Sequence, residues 1–422
     1  MERFDTVVIG AGQAGVAMSE HLGNLGIEHV VLERHRIAER WRSERWDSLV
    51  ANGPAWHDRF PNMDFPCDPE TFADKESVAD YFVAYAQRIG APIRTGVNVT
   101  GVEPLQGRAG FRVETSEGTI EAQNVIAATG PFQRPSIPPV LPDDAGPLQM
   151  HSNAYRNPGQ LPDGAVLVVG GGSSGVQIAE ELMKAGRKVY LSIGSHDRPP
   201  RRYRGRDNVW WLGVLGKWNA DAPGPGTEHV TIAVSGANGG RTVDFRRLAG
   251  QGMVLVGMTA GYTDGKVRFA PDLKDNLDKG DANYLAVLDE ADAYVAQHGL
   301  DLPEEPEARQ IPDDPPCVTD PILELDLERA GIGTVLWATG YAFDFGWLKV
   351  DTFDDRGRPI HQRGVSREPG LYFLGLPWQS RRGSSFIWGV WHDAKFIADQ
   401  IAIRHSYLSY HEAALHRASE DA

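Results

Sequence analysis

Cysteine is almost missing from this chain: Cys67 and Cys317 are the two among 422 residues, 250 positions apart. That spacing rules out a CxxC redox pair and a Cys/His metal-ligand pattern. Long hydrophobic runs are missing too, and no stretch approaches the roughly 20 apolar residues of a membrane span. A soluble protein is expected. Positive charge is in deficit, with 42 Lys and Arg against 57 Asp and Glu and a formal net charge of -15. Nucleic acids and acidic membrane surfaces are gripped by an excess of basic groups, so neither is expected as a partner. A strand begins by Asp5, and cleavage of a secretory signal would remove the glycine turn that follows it. A cytoplasmic location is therefore expected. The 41% hydrophobic and 23% charged fractions are those of globular chains, and the length is that of two domains.

What is present is a pair of glycine turns. Phe4 to Ile9 is a short β-branched run that reads as a buried parallel strand. It enters Gly10-Ala11-Gly12-Gln13-Ala14-Gly15, after which Val16, Met18, Leu22 and Leu25 keep a helical repeat until Gly26. A second strand, His29 to Leu32, ends on Glu33, 23 positions after Gly10. Each part has a physical task in a dinucleotide site. Gly10 permits the tight turn, Gly12 lets backbone approach a pyrophosphate, and Gly15 lets helix and strand pack closely. The helix N-terminus offers free N–H groups to phosphate, and Glu33 can accept bonds from ribose hydroxyls.

The pattern returns 160 residues later, where Ala165 to Val169 runs into Gly170-Gly171-Gly172-Ser173-Ser174-Gly175. A helix to about Ala185 and a strand Lys188 to Leu191 follow, and the position matching Glu33 falls on Ser192 or Ile193. Neither is acidic. A carboxylate there would repel a ribose 2′-phosphate, whereas Ser192 followed by Arg198, Arg201, Arg202, Arg204 and Arg206 would welcome one. NADPH is expected over NADH, with Ser192, Arg201 and Arg202 as phosphate contacts; surface ion pairs are the alternative for these arginines. Two nucleotide sites in one chain imply hydride traffic between two cofactors, one of which is usually a flavin. Two further strands, Asn124 to Ala127 and Thr334 to Trp337, each end in Ala-Thr-Gly, at Thr129-Gly130 and Thr339-Gly340.

With these residues in view the chain resembles the flavin-containing monooxygenases and the related CzcO-like bacterial oxidoreductases, over most of its length. The resemblance implies that the first turn holds FAD and the second NADPH. It implies an α/β fold of two Rossmann-like domains, with the NADPH domain (161–332) inserted into a split FAD domain (1–160 and 333–422). Leu336 to Tyr341 looks like the segment that returns the chain to the FAD domain. Gly370 to Gly375 resembles the last flavin-side strand, with Arg381 to Ser385 close by. Around FAD the set is Gly10, Gly12, Gln13, Ala14, Gly15, Glu33, Arg34, Trp41, Thr129, Gly130, Gly340 and Gly375; around NADPH it is Gly170, Gly172, Ser173, Ser174, Gly175, Ser192, Arg201 and Arg202. Trp46 to Gly53 is similar to a family stretch ending in Thr-Asn, which gives Asn52 the catalytic role of donating its amide to reacting oxygen. Ala51 replaces the family threonine, and a loop asparagine before Gly53-Pro54 is the alternative. The segment 146–155 departs from the family fingerprint, so His151 is read as a linker residue.

The implied chemistry is transfer of hydride from NADPH to FAD, capture of O2 as a C4a-hydroperoxide, and oxygenation of a small organic substrate at nitrogen or sulfur or by Baeyer-Villiger insertion. A disulfide reductase fits poorly without a thiol pair. An NADPH oxidase or a flavin-binding regulator remains open, as does a homodimer. Residues 207–310 read less clearly, with Trp210-Trp211, a turn-rich Asp221 to Gly226 and a charged helical stretch near Asn283 to His298.

Overall fold

Two parallel sheets, each built outward from a glycine turn, organise the chain. The computed structural model describes residues 1–222 and 231–420, the side chains of 411–420 excepted; 223–226 of the turn-rich segment at 221–226 lie outside them. In the first sheet the strand Glu2–Ile9 lies between His29–Glu33 and Gly118–Ala127, with Ile93–Thr95 beyond one and Leu371–Phe373 beyond the other, all parallel. Antiparallel strands from 99 to 115 and from 361 to 366 complete it. The second sheet has the order Val254–Val256, Val189–Ser192, Ala165–Val169, Ile332–Trp337, Leu148–His151, again parallel.

Parallel strands must be buried on both faces, which explains the β-branched runs: Val7, Val8, Val166, Leu167 and Val168 are fully buried. The helix Gln13–Asn24 covers the first sheet with Val16, Met18 and Leu22 and packs on Ile397 and Ile401 of the long helix Ile387–Glu420. The helix Ser173–Lys184 does the same for the second sheet through Val176, Ile178 and Leu182.

The two sheets repeat one order around the glycine-turn strand, and this corrects one expectation. The Leu336 strand does not return to the first domain. It pairs with Ala165–Val169 and closes the second sheet, as Gly118–Ala127 closes the first. The reason is steric. A Cβ on Gly10 would lie 2.8 Å from the carbonyl oxygen of Ala128, and one on Gly170 would lie 2.4 Å from that of Ala338. Each glycine turn thus leans on its own Ala-Thr-Gly strand end, and Gly340 belongs with the second turn. Leu148–His151 also lies in the second sheet. The chain therefore crosses between sheets before Leu148 and after Trp337.

The motif-poor region 207–310 contains the helix Leu273–His298. Arginines anchor it: Arg198 bonds Asp281 at 2.8 Å and Arg204 bonds Asp292 at 2.5 Å. The two aspartates are eleven positions apart, about three helical turns, and so share a face. No helix among the described residues is long and apolar enough to cross a membrane.

Candidate active site

The helices after both glycine turns start without a side-chain cap, at Gly12 and Gly172, whereas Asp74, Asp207 and Asp244 cap other helices. Uncapped N–H groups are what an anionic phosphate needs. A Cβ on Gly15 would lie 1.8 Å from the carbonyl oxygen of Gly10, and one on Gly175 1.8 Å from that of Gly170. Both turns thus need glycine for helix and strand to touch.

The first turn opens on a cavity of about 250 Å³. Gly10, Gly12, Gln13, Ala14, Glu33, Arg34, Trp41, Thr129, Gly130 and Gly375 line it, and Gly15 packs beneath. Glu33 accepts the N–H of Ala11 at 2.8 Å and of His35 at 2.9 Å, which fixes its carboxylate at the strand end. Arg40 and Arg45 also line the cavity. Burial, and then the charges of Arg34 and Arg45, hold the Arg40 guanidinium below its ordinary pKa, and its Nη1 is buried without a partner. A desolvated cation with an orphan donor, lining the same cavity as Gly12, whose Cβ would meet no atom within 4 Å, has the chemistry to receive a phosphate. These residues fit FAD. The sequence did not single out Arg40, because its neighbours Glu39 and Glu44 suggest an ordinary surface ion-pair cluster.

The second turn opens on a larger cavity of about 720 Å³, and Phe132 lines both cavities. Gly170, Gly172, Ser173, Ser174, Ser192, Arg201, Gly340 and Asn52 line the larger one. Ser173 is partly spoken for, since its N–H and hydroxyl both donate to Ile232 O, at 2.9 and 2.7 Å. The Ser192 hydroxyl donates to Gly257 O at 2.9 Å and accepts the N–H of Thr259 at 3.0 Å. Arg201 is 2% exposed, its Nε and Nη2 hold Asp207, and its Nη1 donates to Asn52 O at 2.6 Å. Arg202 is exposed, lies outside the cavity lining and donates to Gly239 O at 3.1 Å. The proposed 2′-phosphate contacts thus have other partners here. Arg198, Arg201 and Arg204 are ion-paired, the alternative kept open from the sequence, though Arg198 and Arg201 are buried and Arg204 is partly exposed.

Asn52 is held from the second domain. Gln177 Nε2 lies 3.0 Å from Asn52 Oδ1 and 2.9 Å from Val234 O. Because a carbonyl can only accept, this end of Gln177 is its NH2, and Asn52 must present oxygen to it. The Asn52 Nδ2 is then free of partners among the described residues. Gly236 allows close approach from one side, as its Cβ would fall 2.1 Å from Ala51 O. Asp58 accepts the Gly53 N–H at 2.9 Å on the other. His151, 4% exposed, bonds Gly340 O at 2.9 Å through Nε2 and lines neither cavity. Cys67 and Cys317 are free thiols and line neither cavity.

Residues 7–206 match the family model described as pyridine nucleotide-disulphide oxidoreductase. The CzcO-like oxidoreductase of Geobacillus kaustophilus is 34% identical over 403 residues, 94% of this chain and 98% of that one. The indole-3-pyruvate monooxygenase YUCCA1 of Oryza sativa is 31% identical over 191 residues, 44% of this chain and 47% of that one. Among solved structures, a flavin-containing monooxygenase from Stenotrophomonas maltophilia superposes with a TM-score of 0.66 at 19% identity, covering 96% of this chain and 99% of that one. The fold is that of the two-dinucleotide-domain flavoproteins.

Proposed function

Since the chain belongs to the CzcO-like oxidoreductases, we propose that it is an FAD- and NADPH-dependent monooxygenase acting on a small organic molecule. The balance is one NADPH, one proton and one O2 consumed, with NADP+, water and the oxygenated substrate formed. FAD, when bound, supplies the redox centre that takes hydride from NADPH and passes one oxygen atom to the substrate.

The protein's part is binding, orientation and dryness. Gly10, Gly12, Glu33 and Arg40 are the residues to hold FAD; Gly170, Gly172 and Ser174 are those to hold NADPH. Asn52 offers an N–H whose direction Gln177 and Arg201 have fixed beforehand, so no reorganisation is needed when charge develops on oxygen. Trp218 and Phe386, with ring centroids 5.2 Å apart, form an apolar wall that excludes water.

The observation that carries the reading is the meeting of two nucleotide cavities at Phe132 with no thiol in either. A disulfide reductase must carry electrons past the flavin on a cysteine pair. The test is anaerobic reduction of the FAD-loaded protein by NADPH, followed by mixing with oxygen. Slow return of the oxidised spectrum, with peroxide well below one per NADPH in the presence of substrate, supports oxygen transfer. Immediate return with stoichiometric peroxide would identify an oxidase, and no reduction would leave a flavin-binding regulator.

A further inference from the structure

The larger cavity has a half that the nucleotide motifs leave unexplained. The helix Asn208–Val214 turns Asn208, Trp211 and Leu212 into it, and Leu215 and Trp218 continue that wall. The helix Leu273–His298 contributes Asn283 and, one turn on, Val287. The third wall is Arg382 and Phe386. It is joined to the first, because the Arg382 N–H donates to Ala220 O at 2.9 Å and the Gly383 N–H to Trp218 O at 3.1 Å.

Three polar groups on these walls have no partner among the described residues. Asn208 is 5% exposed, and its Oδ1 is buried without a hydrogen bond; the Oδ1 of Asn283 is in the same state. The Arg382 guanidinium is half-buried and forms no ion pair, although burial depresses its pKa and the charge of Asp197 acts on it from beyond bonding distance. The other cations of this cavity are committed, Lys217 to Glu290 and Arg201 to Asp207. Buried polar groups are normally satisfied, so partnerless ones converging on one cavity mark a place where a ligand supplies the partners.

We propose that this half of the cavity is a subsite for an organic carboxylate with an aromatic or branched apolar body. The carboxylate sits on Arg382, the body lies against Trp218, Phe386 and Leu215, and the amides of Asn208 and Asn283 bond a polar group at the far end. The planar guanidinium matches a carboxylate with two parallel N–H bonds. A phosphate of NADPH would use the same chemistry, and the NADP+ arm of the test tells the two apart. Naming the occupant the substrate rests on the monooxygenase reading; the binding chemistry does not.

The test is calorimetric titration of the FAD-loaded protein, without turnover, using 3-phenylpropanoate, its neutral counterpart 3-phenylpropanamide, and NADP+. The acid is expected to bind at least about tenfold more tightly than the amide. Arg382→Gln is expected to abolish that preference while NADP+ affinity stays within about twofold, and Arg382→Lys is expected to keep part of it. Equal binding of acid and amide, binding of neither, or loss of NADP+ affinity with the acid unaffected would each overturn the proposal. Flavin absorbance reports whether a variant has folded; if Arg382→Gln fails to hold FAD, the acid and amide comparison on the unaltered protein and Arg382→Lys still decide. A protein that prefers the acid but never oxidises NADPH would defeat the monooxygenase reading alone. One that oxidises NADPH without preferring the acid would defeat the subsite alone.

Discussion

Gln177 donates its side-chain amide to Asn52 Oδ1 at 3.0 Å, so the helix that follows the second glycine turn aims a residue of the first domain's loop. Arg201 adds a bond to the backbone of the same asparagine. The second domain therefore orients the amide proposed for oxygen chemistry.

Asn52→Ala removes that N–H and nothing that touches the first cavity. Flavin reduction by NADPH is expected to persist, while oxygen transfer falls by about 10²-fold or more, the typical loss for one preorganised donor. Peroxide released per NADPH should rise correspondingly. Gln177→Leu should act in the same direction but more weakly, since it frees the amide without deleting it. Peroxide and NADPH assays on both variants check this; a collapse of flavin reduction in Asn52→Ala would assign the residue to cofactor placement instead.

Arg201 and Asp207 are each 2% exposed at the side chain. Removing one member of a buried pair strands the other charge, which typically costs about 3–5 kcal/mol. Arg201→Ala is expected to lose folding stability of that order in urea unfolding, while the ratio of NADPH to NADH affinities changes little. A collapse of that ratio with stability intact would return Arg201 to phosphate binding.

How much the sequence disclosed follows from the range of each interaction. The glycine turns, their strands and Glu33 were legible because strand, turn and helix are contiguous and each glycine answers to a local clash. The Leu336 strand was misplaced because Ala-Thr-Gly ends two strands with the same duty in different sheets, and sequence order does not say which turn each one meets. The ion pairs of the arginines after Ser192 were not legible for another reason: the acids that hold Arg198 and Arg204, Asp281 and Asp292, lie more than 80 residues away. Asn208, Asn283 and Arg382 come from three separate segments and share no spacing. Their meeting exists only in the folded chain.

The two structurally matched glycines separate the cofactors. Gly15→Ala forces a methyl group onto the carbonyl of Gly10, and Gly175→Ala does so at Gly170, each at 1.8 Å. Gly15→Ala is expected to lose FAD on purification, as is Glu33→Ala to a lesser degree, because a hydrogen bond to a charged group is worth about 1.5–3 kcal/mol. Gly175→Ala should retain the flavin spectrum and bind NADP+ at least about tenfold more weakly. Flavin content and NADP+ titration read the two effects apart.

His151 ties the second sheet to Gly340, and its burial sets a direction for acid sensitivity. Burial lowers its pKa from the ordinary 6.5, against weaker opposing pulls from Asn153 and Gly340. Nε2 faces the Gly340 carbonyl and Nδ1 accepts the N–H of Asn153, which suits the neutral ring. The unfolded chain therefore binds a proton at higher pH than the folded one does. Between the two pKa values the unfolded state carries the extra proton, so stability rises with pH and falls as pH drops below 6.5. His21, His29, His196, His361 and His392 are shifted the same way by burial and add to the slope. Unfolding free energy is expected to be flat in these groups above neutrality and to decline on acidification. His151→Gln, which can still donate to Gly340, should reduce the acid-side slope by up to about 1.4 kcal/mol per pH unit, the worth of one proton. Urea unfolding of both proteins from neutral to mildly acid pH measures the two slopes. If they are equal, His151 titrates alike in the folded and unfolded chains, and its burial is not what keeps it neutral.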